Sequence, residues 1–70
     1  MLHVDVDKLL GKIKERRFTI KSLSDEIGVS RNTLSEYIKK PEKIPYDIIN
    51  KIVSALHLNY EESVSIFFAS

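Results

Sequence analysis

The chain has 70 residues, 43% of them hydrophobic, with 11 Lys and Arg against 10 Asp and Glu and a formal net charge of +1. That length holds one domain, and with only two Gly and two Pro the composition argues against disorder. There is no cysteine, which excludes disulfides and thiolate metal sites.

In chain order, Met1 to Val4 is expected as a short extended lead-in. Asp5 or Asp7 can cap a helix running to about Arg16, whose apolar stripe is Leu9, Leu10 and Ile13. Gly11 inside it weakens the helix by roughly 1 kcal/mol relative to Ala. Phe18 should fold back into the core as the chain turns. Thr19 offers a hydroxyl to cap a second helix, about Ile20 to Ile27, in which Leu23 and Ile27 share a face. Gly28 follows, the residue that takes a left-handed, helix-ending conformation at least cost. Val29 is expected to plug the corner, and Ser30 to cap a third helix over Arg31 to Lys40. Leu34 with Tyr37 or Ile38 gives that helix its buried side.

Pro41 ends the third helix, because the residue before a proline is pushed out of the helical region. Pro45 fits the first turn of the next helix, where a missing N–H is harmless, and Asp47 lies near that helix's positive end. Ile48, Ile49, Ile52, Val53 and Leu56 form one core stripe. Asn59 with Glu62 makes a capping box for a last helix, about Tyr60 to Phe68. Tyr60, Val64 and Phe67 share a face expected to close the core, with Ile66 and Phe68 pointing elsewhere. The apolar run Ile66, Phe67, Phe68 reads either as packing in a small core or as a protein interface. The expectation is an all-α, compact five-helix fold.

All eleven basic residues lie between Lys8 and Lys51, and only Glu61 and Glu62 carry charge after that. Lys8 to Lys21 holds six basic residues (Lys8, Lys12, Lys14, Arg16, Arg17, Lys21) against Glu15 alone. Such a distribution can build a basic face for a nucleic-acid backbone, or simply a set of solvated helix surfaces. No apolar run approaches a membrane span, and MLHVDVDK lacks the pattern of a signal peptide, so a cytoplasmic protein is expected. No glycine-rich phosphate loop, metal-ligand spacing or nucleophile with an identifiable base is present, so neither an enzyme nor a cofactor is expected. His57 and His3 are too isolated in sequence to suggest a ligand cluster, and His57 reads as a helix-end surface residue.

The stretch TIKSLSDEIGVSRNTLSEYI resembles the helix-turn-helix of the Cro/cI-type, lambda-repressor-like family. Leu23, Ser24, Ile27, Gly28, Val29, Ser30, Leu34 and Tyr37 carry the resemblance. IKERRFTIKSL is similar to the family's first helix and its link to the second, and KIVSALHLNYEES to its fourth helix and the start of its fifth. Roughly Lys8 to Phe67 is covered. The resemblance implies a compact DNA-binding domain whose third helix enters the major groove. Carried over residue by residue, it implies base contacts from Arg31, Asn32 and Glu36. Glu36 also stands three and four residues before Lys39 and Lys40, a favourable ion-pair spacing. Thr33, Ser35, Lys39, Lys40 and Lys43 are placed to contact phosphate. Two positions depart from the family: Ile20 stands where relatives often carry a phosphate-clamping Gln, and His57 where they often have Gly.

These readings imply a sequence-specific transcriptional regulator similar to small phage Cro-like repressors, binding operator DNA as a possible homodimer in a bacterial or phage-infected cell. The alternative is an antirepressor that acts mainly by binding a repressor protein. It is motivated by the near-neutral charge, Ile20 and the Ile66-Phe67-Phe68 end.

Overall fold

Local capping sets where each helix begins. The computed structural model describes residues 3–69 and contains five α-helices joined by short turns. Helix α1 is Val6–Glu15, capped by the Asp5 carboxylate accepting the Lys8 N–H. Helix α2 is Ile20–Ile27, α3 is Arg31–Lys39, α4 is Tyr46–Ala55 and α5 is Tyr60–Phe67. A single 3-10 turn, Pro41–Lys43, links α3 to α4. Asn59 and Glu62 close a reciprocal capping box on α5. Pro45 sits one residue earlier than the sequence predicts, as the N-cap of α4, where its carbonyl accepts the N–H groups of Ile48 and Ile49 at 3.1 and 3.0 Å. Among the described residues no helix is long and apolar enough to cross a membrane.

The core is drawn from every helix: Leu9 and Ile13 of α1, Leu23 and Ile27 of α2, Leu34 of α3, Ile48, Ile49 and Ile52 of α4, Ile66 and Phe67 of α5, with Ile44, Leu56 and Leu58 from the connections. Each such side chain removed from water contributes about 1.5–3 kcal/mol before the entropy of ordering it. Helix α2 is the hub, packing on both α3 and α4, while α5 packs on α1. Ser24 is 1% exposed and donates its Oγ–H to the Lys21 carbonyl at 2.6 Å, so a small polar residue is buried without an orphaned group.

Helix α5 is rotated from the orientation the sequence predicts. Ile66 and Phe67 are buried at 2% and 0% exposure, while Tyr60 and Val64 face outward at 83% and 36%. The cause is the polar seam to α1. Lys12 pairs with Glu62, and the Lys8 ammonium donates to Ser65 Oγ at 2.7 Å, which turns the Glu62–Ser65–Ile66 side of α5 toward α1. An interface built on Ile66 and Phe67 is therefore corrected: both are core residues, and of that run only Phe68, at 40%, offers surface. Leu10, assigned to the α1 stripe, is likewise 40% exposed.

The lead-in is also more than a spacer. Met1 and Leu2 lie outside the described residues, but His3 forms a parallel bridge with Phe68. The His3 N–H donates to the Phe67 carbonyl at 3.0 Å and the Ala69 N–H to the His3 carbonyl at 2.9 Å. Asp5 N–H adds a 2.7 Å bond to the Ile66 carbonyl. At the other end of α1, Arg16 donates Nε–H to the Leu56 carbonyl at 2.9 Å, satisfying an acceptor at the end of α4.

Replacing Ile52 with Ala should cost about 2–5 kcal/mol in urea unfolding, whereas Tyr60→Ala should stay within about 0.5 kcal/mol. The α1–α5 seam predicts a pH dependence. The Lys12 ammonium, and after it the Asn59 N–H, hold the Glu62 carboxyl below its ordinary value of 4.5. Hydrogen bonding to Glu62 and then Glu15 raises Lys12 above its ordinary 10.5. A depressed carboxyl adds stability above its unfolded-state pKa and loses it as pH falls through the folded value. Urea midpoints should therefore fall as pH drops below 4.5, and Glu62→Gln should flatten that fall.

Candidate nucleic-acid interface

Three residues between α2 and α3 set the geometry of the exposed surface. Gly28 ends α2 in the left-handed conformation, φ 79°, with its N–H on the Ser24 carbonyl. Val29 follows, half-buried against the core, with its own N–H on Ser24 O at 3.0 Å. Ser30 caps α3: its Oγ accepts the Thr33 N–H at 3.0 Å and donates to Thr33 Oγ1 at 2.8 Å. The start of α2 is fixed by a second reciprocal box between Thr19 and Ser22. The usual box pattern has Glu or Gln at that third position, so Ser22 gave no signal in the sequence.

Leu34, 1% exposed, anchors α3 to the core, flanked by half-buried Tyr37 and Ile38. At about 100° per residue, the side opposite Leu34 carries Asn32, Glu36 and Lys39, all exposed. Arg31 is exposed at the first helical position, and Ser35 is half-buried on the same flank. Thr33 lies on the other flank, half-buried, with its hydroxyl held by Ser30. Glu36 pairs with Lys39 at 3.8 Å rather than with Lys40. Lys40 is the exposed C-cap of α3, and Lys43 is exposed at the end of the 3-10 turn that packs on α3. Arg31, Asn32, Glu36, Lys39, Lys40 and Lys43 are thus all exposed along α3 and the 3-10 turn that packs on it, with Thr33 and Ser35 half-buried on opposite flanks.

Ile20, at the position where the sequence departs from the resemblance, is half-buried against the core at the first residue of α2. Its side chain supplies packing and no hydrogen-bonding group. His57 is exposed with φ 53°, so a non-glycine residue adopts the left-handed conformation at the end of α4. Among the described residues no group of His, Cys, Asp and Glu gathers as a metal site.

The family model for a Cro/C1-type HTH DNA-binding domain matches residues 8–64. The chain belongs to that family. No curated protein and no solved structure matches the chain. Membership in the Cro/C1-type family makes the protein a member of a family of DNA-binding regulators. It also gives α2 and α3 their meaning as a helix-turn-helix: α2 is the supporting helix and α3 is the element that the fold leaves half uncovered.

The turn can be tested on its own. A Cβ at Gly28 would meet nothing within 4 Å, so Gly28→Ala introduces no clash and only the left-handed conformation is penalised. Thermal melts should show a loss of about 1–2 kcal/mol with helical content retained at low temperature.

Proposed function

We propose that the protein is a sequence-specific transcriptional regulator that seats α3 in the major groove of an operator and represses by occupying it. The observation that carries this reading is the uncovered polar face of α3, held rigidly from behind by Leu34. Helix α3 has nine residues, about 13 Å at a rise of about 1.5 Å, which matches roughly four base pairs of groove. Arg31 is assigned to guanine O6 and N7, Asn32 to adenine N6 and N7, and Glu36 to a cytosine amino group. Thr33, Ser35, Lys40 and Lys43 are assigned to phosphates on either side, where they set register without reading sequence.

The largest Cα extent of the molecule is 28 Å. Half-sites read by paired helices of this kind lie about 34–36 Å apart, so one chain covers one half-site and a palindromic operator needs two. A homodimer is the assembly that suits this function. The rival reading, an antirepressor that binds a repressor protein, is favoured by two observations: Ile20 in place of a phosphate clamp, and the outward apolar residues Tyr60, Val64 and Phe68 of the α5 end.

Selection of bound sequences from random DNA at two salt concentrations separates these readings. An enriched palindrome supports the dimeric regulator. Weak, strongly salt-dependent binding with no enriched site is phosphate attraction alone and moves the assignment to the antirepressor. On the selected site, Arg31→Ala should cost about 1–3 kcal/mol and relax the preference at one base pair; equal binding by wild type and variant would remove Arg31 from the reading set.

A further inference from the structure

The sequence places Lys39 among the phosphate contacts, but its position in the fold argues otherwise. Asn32, Glu36 and Lys39 are spaced i, i+4 and i+7, a single stripe along α3, and that stripe lies opposite the buried Leu34. A residue on that stripe faces the groove whereas phosphate contacts come from the flanks, and Lys39, although the last residue of α3, lies on the stripe. Lys39 also does not stand alone. Its ammonium lies 3.8 Å from Glu36 Oε1, with the two side chains 71% and 64% exposed. Neither side chain has any other salt-bridge partner among the described residues, so the pair is free to present both its members outward.

The major-groove edge of a G·C pair shows two acceptors, guanine N7 and O6, beside one donor, the cytosine N4 amino group. O6 and N4 are joined by a Watson–Crick hydrogen bond and so lie about 2.9 Å apart. An ammonium and a carboxylate 3.8 Å apart present the complementary pattern, donor beside acceptor, at a spacing about 1 Å wider that the two flexible side chains can close. We infer that Glu36 and Lys39 read one G·C base pair jointly, Lys39 donating to guanine O6 and N7 and Glu36 accepting from cytosine N4. This extends the DNA-binding reading above and rests on it. Lys39 thereby becomes a specificity-determining residue, and the ion pair of the free protein sets the two groups side by side on the face that meets DNA.

The test uses the full chain in the same selection, comparing wild type with Lys39→Ala, Glu36→Gln and the exchanged Glu36→Lys/Lys39→Glu protein. A joint reading predicts that wild type enriches G·C at one position. Lys39→Ala should then lose that preference by about tenfold or more while keeping preferences elsewhere in the site. Glu36→Gln should weaken the preference at the same position. The exchanged protein, with donor and acceptor reversed along the helix, should prefer C·G there. Replacing that guanine with 7-deazaguanine should weaken wild type and leave Lys39→Ala unchanged. If Lys39→Ala instead weakens all sequences equally and lowers the salt slope by about one, Lys39 contacts phosphate and the inference is overturned while the DNA reading stands. If Lys39→Ala and Glu36→Gln relax two different positions, the joint reading is overturned. A wild type that enriches no site overturns both readings together. Circular dichroism of each variant reports folding, which substitution at these two exposed positions should leave intact.

Discussion

The left-handed turn at Gly28 is the constraint from which the rest of the site follows. It ends α2 within one residue and redirects the chain, so that Leu23 and Ile27 on one side and Leu34 on the other reach the same core. Because Leu34 commits one side of α3 to the interior, the opposite side is uncovered, and that side carries the groups able to meet base edges. The serine at Ser30 and the valine at Val29 complete the corner: one satisfies the new helix's first amides, the other fills the space that the reversal opens. Recognition chemistry and core packing are therefore two faces of the same nine-residue helix.

What could be read from the sequence was what is local. The caps at Asp5, Thr19, Ser30 and Asn59 depend on residues within three positions of each other, and the stop at Pro41 on a single ring. The stripe of α4 was equally visible, since a helix with Ile48, Ile49, Ile52 and Leu56 on one side has only one face to bury. Helix α5 was not, because its apolar residues surround it. Tyr60, Val64, Ile66, Phe67 and Phe68 allow more than one rotation, and the choice is made by Lys8 and Lys12, which lie at the other end of the chain. The bridge between His3 and Phe68 escaped for the same reason. In the site, the positions of Arg31, Asn32 and Glu36 were legible from their order in the motif. That Glu36 pairs with Lys39 and not with Lys40, both at ion-pair spacing in the sequence, needed the packed helix to show.

Electrostatics in this protein serves two ends that are separated in space. On α1 and α5, the cluster of Lys12, Glu15, Arg16 and Glu62 is turned inward on itself, charge matched to charge, and fixes the rotation of the last helix. Around α3, Arg31, Lys40 and Lys43 have no such acidic partners among the described ion pairs and remain available to a polyanion. The near-zero net charge of the chain thus hides a division of labour: Lys8, Lys12 and Arg16 tie helices together, while Arg31, Lys40 and Lys43 stand exposed around α3.

The bridge between His3 and Phe68 has a kinetic consequence. Contacts such as those between α2 and α3 join neighbouring helices, whose association costs little loop-closure entropy, whereas the α1–α5 seam and this bridge do not. The bridge brings together segments separated by almost the whole chain, and loop-closure entropy grows with that separation. It shares that cost with the Lys8–Ser65 and Lys12–Glu62 contacts, so bridge and seam are expected to close together, after the local helix pairs. Amide hydrogens at Asp5 and Ala69, bonded to Ile66 and His3 near the two ends of the chain, are expected to exchange with solvent ahead of the α2–α4 centre. The described bonds of the α2–α3 corner, from Gly28 and Val29 to Ser24 and between Ser30 and Thr33, involve no residue of the lead-in.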